Sequence, residues 1–187
     1  MRSMLLIALA TTPLVAQQAP VLTAAASGRA TTEVTLSPPR AQGQPAPTPL
    51  RIRIEYGQPH ARGRQLLGKV IPFDSVWRTG ANSSTTLTTD VAMVLGGSTL
   101  PKGAYSLYSL PTKTGWTLIV NANTGQWGTE YVEDKDVARI PLKARALKEP
   151  LESFSIVLQP DDRSPARGVL RLSWGDFELS TDWIAKP

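Results

Sequence analysis

An all-β fold, an antiparallel β-sandwich of jelly-roll-like form with about nine or ten short strands, is what this sequence predicts. Three observations carry the prediction. In Arg51 to Tyr56 (RIRIEY), Ile52, Ile54 and Tyr56 alternate with Arg51, Arg53 and Glu55, the period of two expected of a strand with one dry and one wet face. Sixteen prolines and fourteen glycines in 187 residues interrupt the chain too often for a helical bundle. No stretch repeats its apolar residues at the 3.6-residue period of an amphipathic helix.

The elements follow in order. Arg2, the apolar run Met4 to Ala16 and a small residue before Gln17 predict a signal peptide over residues 1–16. An apolar core of about 7–15 residues suits export and falls short of the roughly 20 that span a bilayer. The expected location is therefore the periplasm or the exterior. Residues 17–30 read as a small, polar linker, and one β-sandwich domain is expected over 31–187. Thr31 to Leu36 is its first strand. The five prolines of residues 37–49 cannot donate to a sheet ladder, so that segment is an exposed loop. After RIRIEY, strands are expected at Thr85 to Asp90, Val91 to Leu95, Gly103 to Leu110, Gly115 to Asn121, Val137 to Leu142, Glu152 to Gln159, Val169 to Trp174 and Phe177 to Ile184. Gly96-Gly97 and Trp174-Gly175-Asp176 read as tight hairpin turns, and Thr124 to Asp136 as a turn or a single helical turn.

Composition excludes several functions. The chain has no cysteine, which removes disulfides, thiol nucleophiles, thiolate metal sites and a lipidated cysteine after the signal. The net charge of +5 is spread over scattered Lys and Arg with no run longer than two, so no nucleic-acid partner is expected. The lone histidine, His60, has no G-x-S-x-G nucleophile motif to serve, and beside Arg62 and Arg64 it reads as part of a solvated loop. Glu133, Asp134 and Asp136, like Asp161-Asp162, lack the spacing of a calcium loop and read as charged turns, so neither a metal nor a cofactor is expected. Asp74, Glu130, Asp136 and Asp176 offer carboxylates to a glycosidase, but their spacing pairs none of them.

What remains is a polar and aromatic set gathered around Val76 to Asn82 (VWRTGAN). Guanidinium forks grip carboxylates and phosphates, and indole faces stack on sugars or cations. Loops at the end of a sandwich are where such groups collect. The candidate ligand-binding residues are His60, Arg64, Arg78, Asn82, Trp127 and Tyr131. Trp77 and Gly80 read as scaffold. Arg78, which turn carbonyls or Asp74 could satisfy, and Asn82, which could close a turn, stand evenly between site and structural corner.

Several motifs occur in one order: Gly63-Arg64, P-x-x-x-V-W-R-T-G-A-N from Pro72 to Asn82, LPKGAYSL from Leu100 to Leu107, WTLIVN from Trp116 to Asn121, QWG from Gln126 to Gly128, and DVAR from Asp136 to Arg139. In these the chain resembles the exported bacterial domain-of-unknown-function family 2911, over roughly Ile52 to Trp174, with residues 37–49 looking like an insertion. The resemblance implies a β-rich exported domain and brings no reaction, substrate or catalytic residue. The reading that comes first is a non-enzymatic exported module binding a small-molecule, glycan or anionic envelope ligand through Arg64, Arg78 and Asn82, with Trp127 or Tyr131 as a stacking face. An interaction or accessory subunit of an envelope or membrane complex comes second, with the proline-rich loop as a docking segment. A hydrolase comes last.

Overall fold

A computed structural model describes residues 22–23 and 25–186; the expected signal peptide and residues 17–21 and 24 of the expected linker lie outside them. Nine strands form the fold: β1 (Arg29–Leu36), β2 (Leu50–Gly57), β3 (Thr85–Thr89), β4 (Ala92–Leu95), β5 (Ser98–Leu100), β6 (Gly103–Pro111), β7 (Trp116–Asn121), β8 (Asp136–Asp161) and β9 (Ser164–Lys186). They join in one antiparallel sheet in the order β1-β2-β3-β6-β7-β8-β9-β4-β5. The sheet makes two layers because β8 changes partners along its length. Its first part, to Leu142, pairs with β7, and from Lys143 onward it pairs with β9. One core lies between the layers, drawing Ile54, Leu107 and Leu118 from one side and Met93, Leu172 and Trp183 from the other.

Local pattern explains the first layer. Ile52, Ile54 and Tyr56 of β2 are buried, while Arg51, Arg53 and Glu55 face outward among Arg29 and Glu33 of β1. These exposed pairs contribute little stability each. The proline-rich segment between β1 and β2 is an exposed loop, and a single 3-10 turn, Glu133–Lys135, precedes β8. Gly96 and Gly97 join β4 to β5 at φ 53° and 89°, the two left-handed residues that a two-residue hairpin turn of this hand requires.

The second layer departs from expectation. The sequence suggests four short strands there, with a hairpin at Trp174-Gly175-Asp176. Instead β8 has 26 residues and β9 has 23, and the hairpin lies at Asp162-Arg163. Gly175 is left-handed, at φ 54°, but it bends β9 rather than reversing it. Opposite it, the register of β8 jumps from Ala146 to Leu151, so extra residues bulge out of β8 and both strands kink together. A left-handed glycine signals a turn and a bulge alike, and only the partner strand decides between them.

Beyond the kink, β8 turns its free edge toward β2 and β1. Phe154 N donates to Pro59 O at 2.9 Å, Ile156 N to Tyr56 Oη at 3.1 Å and Leu158 N to Thr32 Oγ1 at 3.1 Å. Gln58 Nε2 donates to Phe154 O across the same seam at 3.0 Å. Backbone and side-chain acceptors thus take up the Phe154, Ile156 and Leu158 N–H groups that a further strand would otherwise pair.

Glu178 of β9 is a buried carboxylate, accepting from Arg145 Nε at 2.7 Å, Arg171 Nη1 at 2.9 Å and Ser173 Oγ at 3.3 Å. Burial alone would raise its pKa, but the hydrogen bonds from Arg145 and Arg171 prevail and hold it below the usual carboxylate range. A depressed folded-state pKa stabilises the protein above the unfolded value of 4.5, and that contribution fades as pH falls through the folded value. Glu178→Gln is therefore expected to lower the urea midpoint at neutral pH. The gap to the parent should narrow in acid below about 4.5. A gap that stays constant across that range contradicts the assignment.

Candidate functional site

The site grows from the long connection between β2 and β3. Its central stretch, Val76 to Asn82, is fastened to β6 where Trp77 N donates to Ser109 O at 2.7 Å and Ser109 N returns a bond to Trp77 O at 2.8 Å. The buried Trp77 indole lies nearly parallel to that of Trp174 on β9, with ring centres 5.9 Å apart. Phe154 of β8 meets Trp77 edge-on at 5.2 Å and Tyr56 of β2 at 5.6 Å. Such aromatic pairs add about 0.5–1.5 kcal/mol each beyond the area they bury. The connection is therefore anchored in both layers.

The chain then turns sharply. Thr79 adopts φ 50° and Asn82 φ 63°, with Gly80 at 152° between them. Asparagine tolerates the left-handed region, whereas a fully buried β-branched residue there is strained. Three bonds hold Thr79 in place: its hydroxyl meets Ser109 Oγ at 2.6 Å and donates to Trp77 O at 3.4 Å, and its carbonyl accepts from Thr85 Oγ1 at 2.7 Å. Close backbone approaches complete the corner. Ala81 N donates to Gly57 O at 3.1 Å and Gly128 N to Asn82 O at 2.9 Å. A β-carbon at Gly57 would collide with the Ala81 carbonyl, and one at Gly128 would sit 2.6 Å from Arg78 Cδ. Gly128 thus gives the Arg78 side chain its room.

Against this corner lies a cavity of about 390 Å³. Trp77, Trp174, Tyr108 and Tyr131 supply aromatic walls, and Val70, Pro72 and Val76 supply apolar ones. Arg64 and Arg78 border it, and no carboxylate does. Arg64 is braced by its own loop, with Nε on Ala61 O at 3.0 Å and Nη2 on His60 O at 2.6 Å. Arg78 is half-buried and, among the described residues, has neither an ion pair nor a side-chain hydrogen bond; no bond to Asp74 is formed.

Tyr131 is fixed from behind. Its hydroxyl donates to Asp136 Oδ2 at 2.6 Å and accepts from Arg139 Nη2 at 2.9 Å, while its ring meets Tyr108 edge-on at 4.9 Å. Burial, followed by the bond to Asp136, pushes the phenol pKa up, so Tyr131 stays neutral and acts as a wall rather than a base. Burial also raises Tyr108, against the opposing hydrogen bond from Gln126 Nε2 at 2.8 Å.

Of the residues expected to bind, the structure gathers Arg64, Arg78 and Tyr131 around the cavity and leaves Asn82, His60 and Trp127 outside its lining. Asn82 is exposed, and its Nδ2 donates to Ser27 O at 3.1 Å, holding the chain that leads into β1. His60 is not a solvated loop residue. It is half-buried, with Nδ1 on Ser153 Oγ at 2.8 Å and Nε2 on Ala25 O at 3.3 Å. Both ring nitrogens are engaged, and neither His60 nor Ser153 borders the cavity, so the pair works as a clamp. Trp127 is 49% exposed, with its backbone bridged to Ser83. Asp74, Glu130, Asp136 and Asp176 do not border the cavity, and among the described residues no group of three or more His, Asp or Glu could hold a metal ion. Sequence reasoning missed Tyr108 and Trp174. Tyr108 lies within the continuously buried run Tyr105 to Ser109 of β6, and Trp174 sits in the segment read as a turn.

The family model described as a protein of unknown function, DUF2911, matches residues 37–182, which takes in the proline-rich segment as well as the motifs. Comparison with curated proteins and with solved structures gives no match.

Thr79→Val keeps the shape of the corner and removes one hydroxyl, leaving buried Ser109 Oγ without its partner. The expected cost is about 1–3 kcal/mol of unfolding free energy. Denaturant titration checks it, and an unchanged midpoint removes Thr79 from the structures that hold the corner.

Proposed function

The chain belongs to the DUF2911 family, and we propose that it is an exported module that binds a small anionic ligand, with Arg78 as the residue that grips it. One observation carries this reading. Among the described residues, a half-buried guanidinium with no ion pair or side-chain hydrogen bond borders a cavity walled by aromatic rings, with a second arginine on the rim and no carboxylate in the lining. A charge removed from bulk water without a counter-charge costs free energy, and an entering carboxylate or phosphate offsets that cost through paired, charge-assisted hydrogen bonds. The cavity's volume falls in the range of small-molecule sites.

The apolar part of such a ligand has Val76 and Trp77 to rest on. A neutral glycan is the weaker candidate, because the most exposed tryptophan, Trp127, stands outside the lining. Placement in the periplasm or outside the cell rests on Arg2 and the apolar run Met4 to Ala16, and an envelope component is then the natural source of the anion.

The test is calorimetry and thermal unfolding of the full mature chain with benzoate and with inorganic phosphate. At least one should raise the melting temperature in a concentration-dependent way. Arg78→Met keeps the side chain's bulk beside Gly128 and should weaken that binding about ten-fold or more, as expected for loss of a charged hydrogen-bond pair. Equal affinity in parent and variant, or no binding by either probe, overturns the proposal.

A further inference from the structure

The anion cavity does not end at Arg64. A second hollow, of about 340 Å³, is lined by Ala26, Ser27, Arg62 and Arg64. Ser27 and Arg64 border both spaces, so together they form a sill between an inner chamber and an outer vestibule. The sill is a fixed piece of structure. Asn82 holds the Ser27 carbonyl, His60 meets that of Ala25, and Gln58 N donates to Gly28 O at 2.8 Å.

The vestibule is basic in the same way as the chamber. Arg62 sits at φ 50°, in a turn mounted on β8 by Ala61 N on Glu152 O at 2.7 Å and Arg62 N on Glu152 Oε1 at 2.7 Å. Glu152 therefore engages the Arg62 backbone, while the Arg62 guanidinium takes part in no ion pair among the described residues. The two contiguous spaces carry three arginines and no carboxylate in their linings.

We infer that the ligand is an elongated dianion. One acidic group sits on Arg78 in the chamber, an uncharged spacer runs along Trp77 and Val76 of the chamber wall and over the sill at Ser27, and a second acidic group sits in the vestibule on Arg62 and Arg64. This rests on the anion-binding reading of the chamber and extends it to a class of ligand. A monoanion leaves one of the two basic spaces empty; a dianion occupies both. The relevant chemistry is a pair of carboxylates or phosphates separated by an apolar segment, whatever molecule carries them.

Calorimetry of the full mature chain with matched straight-chain mono- and α,ω-dicarboxylates of about four to ten carbons tests this, since such chains are of a size to occupy small-molecule cavities. One dicarboxylate length should bind about ten-fold or more tightly than its monocarboxylate partner, as a second charge-assisted contact warrants. Arg62→Gln, a change at an exposed position, should erase that advantage and leave the monocarboxylate affinity unchanged. Arg78→Met should weaken both. Monocarboxylates that bind through Arg78 with no dicarboxylate advantage at any length, or an advantage that survives Arg62→Gln, overturn the dianion inference alone. If no probe binds, both it and the anion-binding reading fall.

Discussion

The parallel contact between Trp77 and Trp174 is the interaction on which the rest of the site depends. Trp77 belongs to an irregular connection that meets β6 through an isolated bridge rather than a strand, and Trp174 lies where β9 bends at Gly175. Stacking one on the other, with Phe154 edge-on to both, ties an irregular segment to the two longest strands. The Trp174 indole N–H is satisfied by Glu152 O at 3.1 Å, so the cluster buries no unpaired donor at that ring. The kink in β8 and β9 and the corner at Val76 to Asn82 are therefore two sides of one packing solution.

That anchoring explains how strain is tolerated next to the cavity. Left-handed residues other than glycine cost of order 1–3 kcal/mol each, and Arg62, Asp74, Thr79 and Asn82 all adopt positive φ around this region. They persist because hydrogen bonds and core contacts over-determine the path on either side. The return is geometric. The corner lays the Arg78 stem against the Gly128 backbone, where a β-carbon would not fit, beside the cavity that it borders.

Much of the fold was legible in the sequence where the signal is local. RIRIEY encodes its buried face by alternation, and Gly96-Gly97 encodes a turn because two consecutive left-handed residues suit little else. Trp174-Gly175-Asp176 misled because its glycine serves a bend whose cause lies in β8, far along the chain. The site was legible as chemistry before it was legible as geometry. Arg64, Arg78 and Tyr131 stood out as residue types worth explaining, whereas Tyr108 was hidden inside an ordinary strand, β6, whose residues Tyr105 to Ser109 are all buried. Asn82 and His60 carried signals of the right strength and the wrong meaning, since their polar atoms hold the segment before β1.

The pattern of satisfied and unsatisfied charge is what gives the cavity its direction. Glu178 is taken by Arg145 and Arg171, Asp136 by Arg139 and Tyr131, and Glu55 by Arg29 and Arg53. These three acids are thus paired with arginines elsewhere, and Asp74, only four residues from Arg78 in sequence, forms no ion pair with it. A protein that needed Arg78 only as scaffold would gain by pairing it, because a half-buried guanidinium without a counter-ion is a net cost. The corner instead leaves it bordering a space lined by rings and a second arginine, and on that arrangement the anion-binding proposal rests.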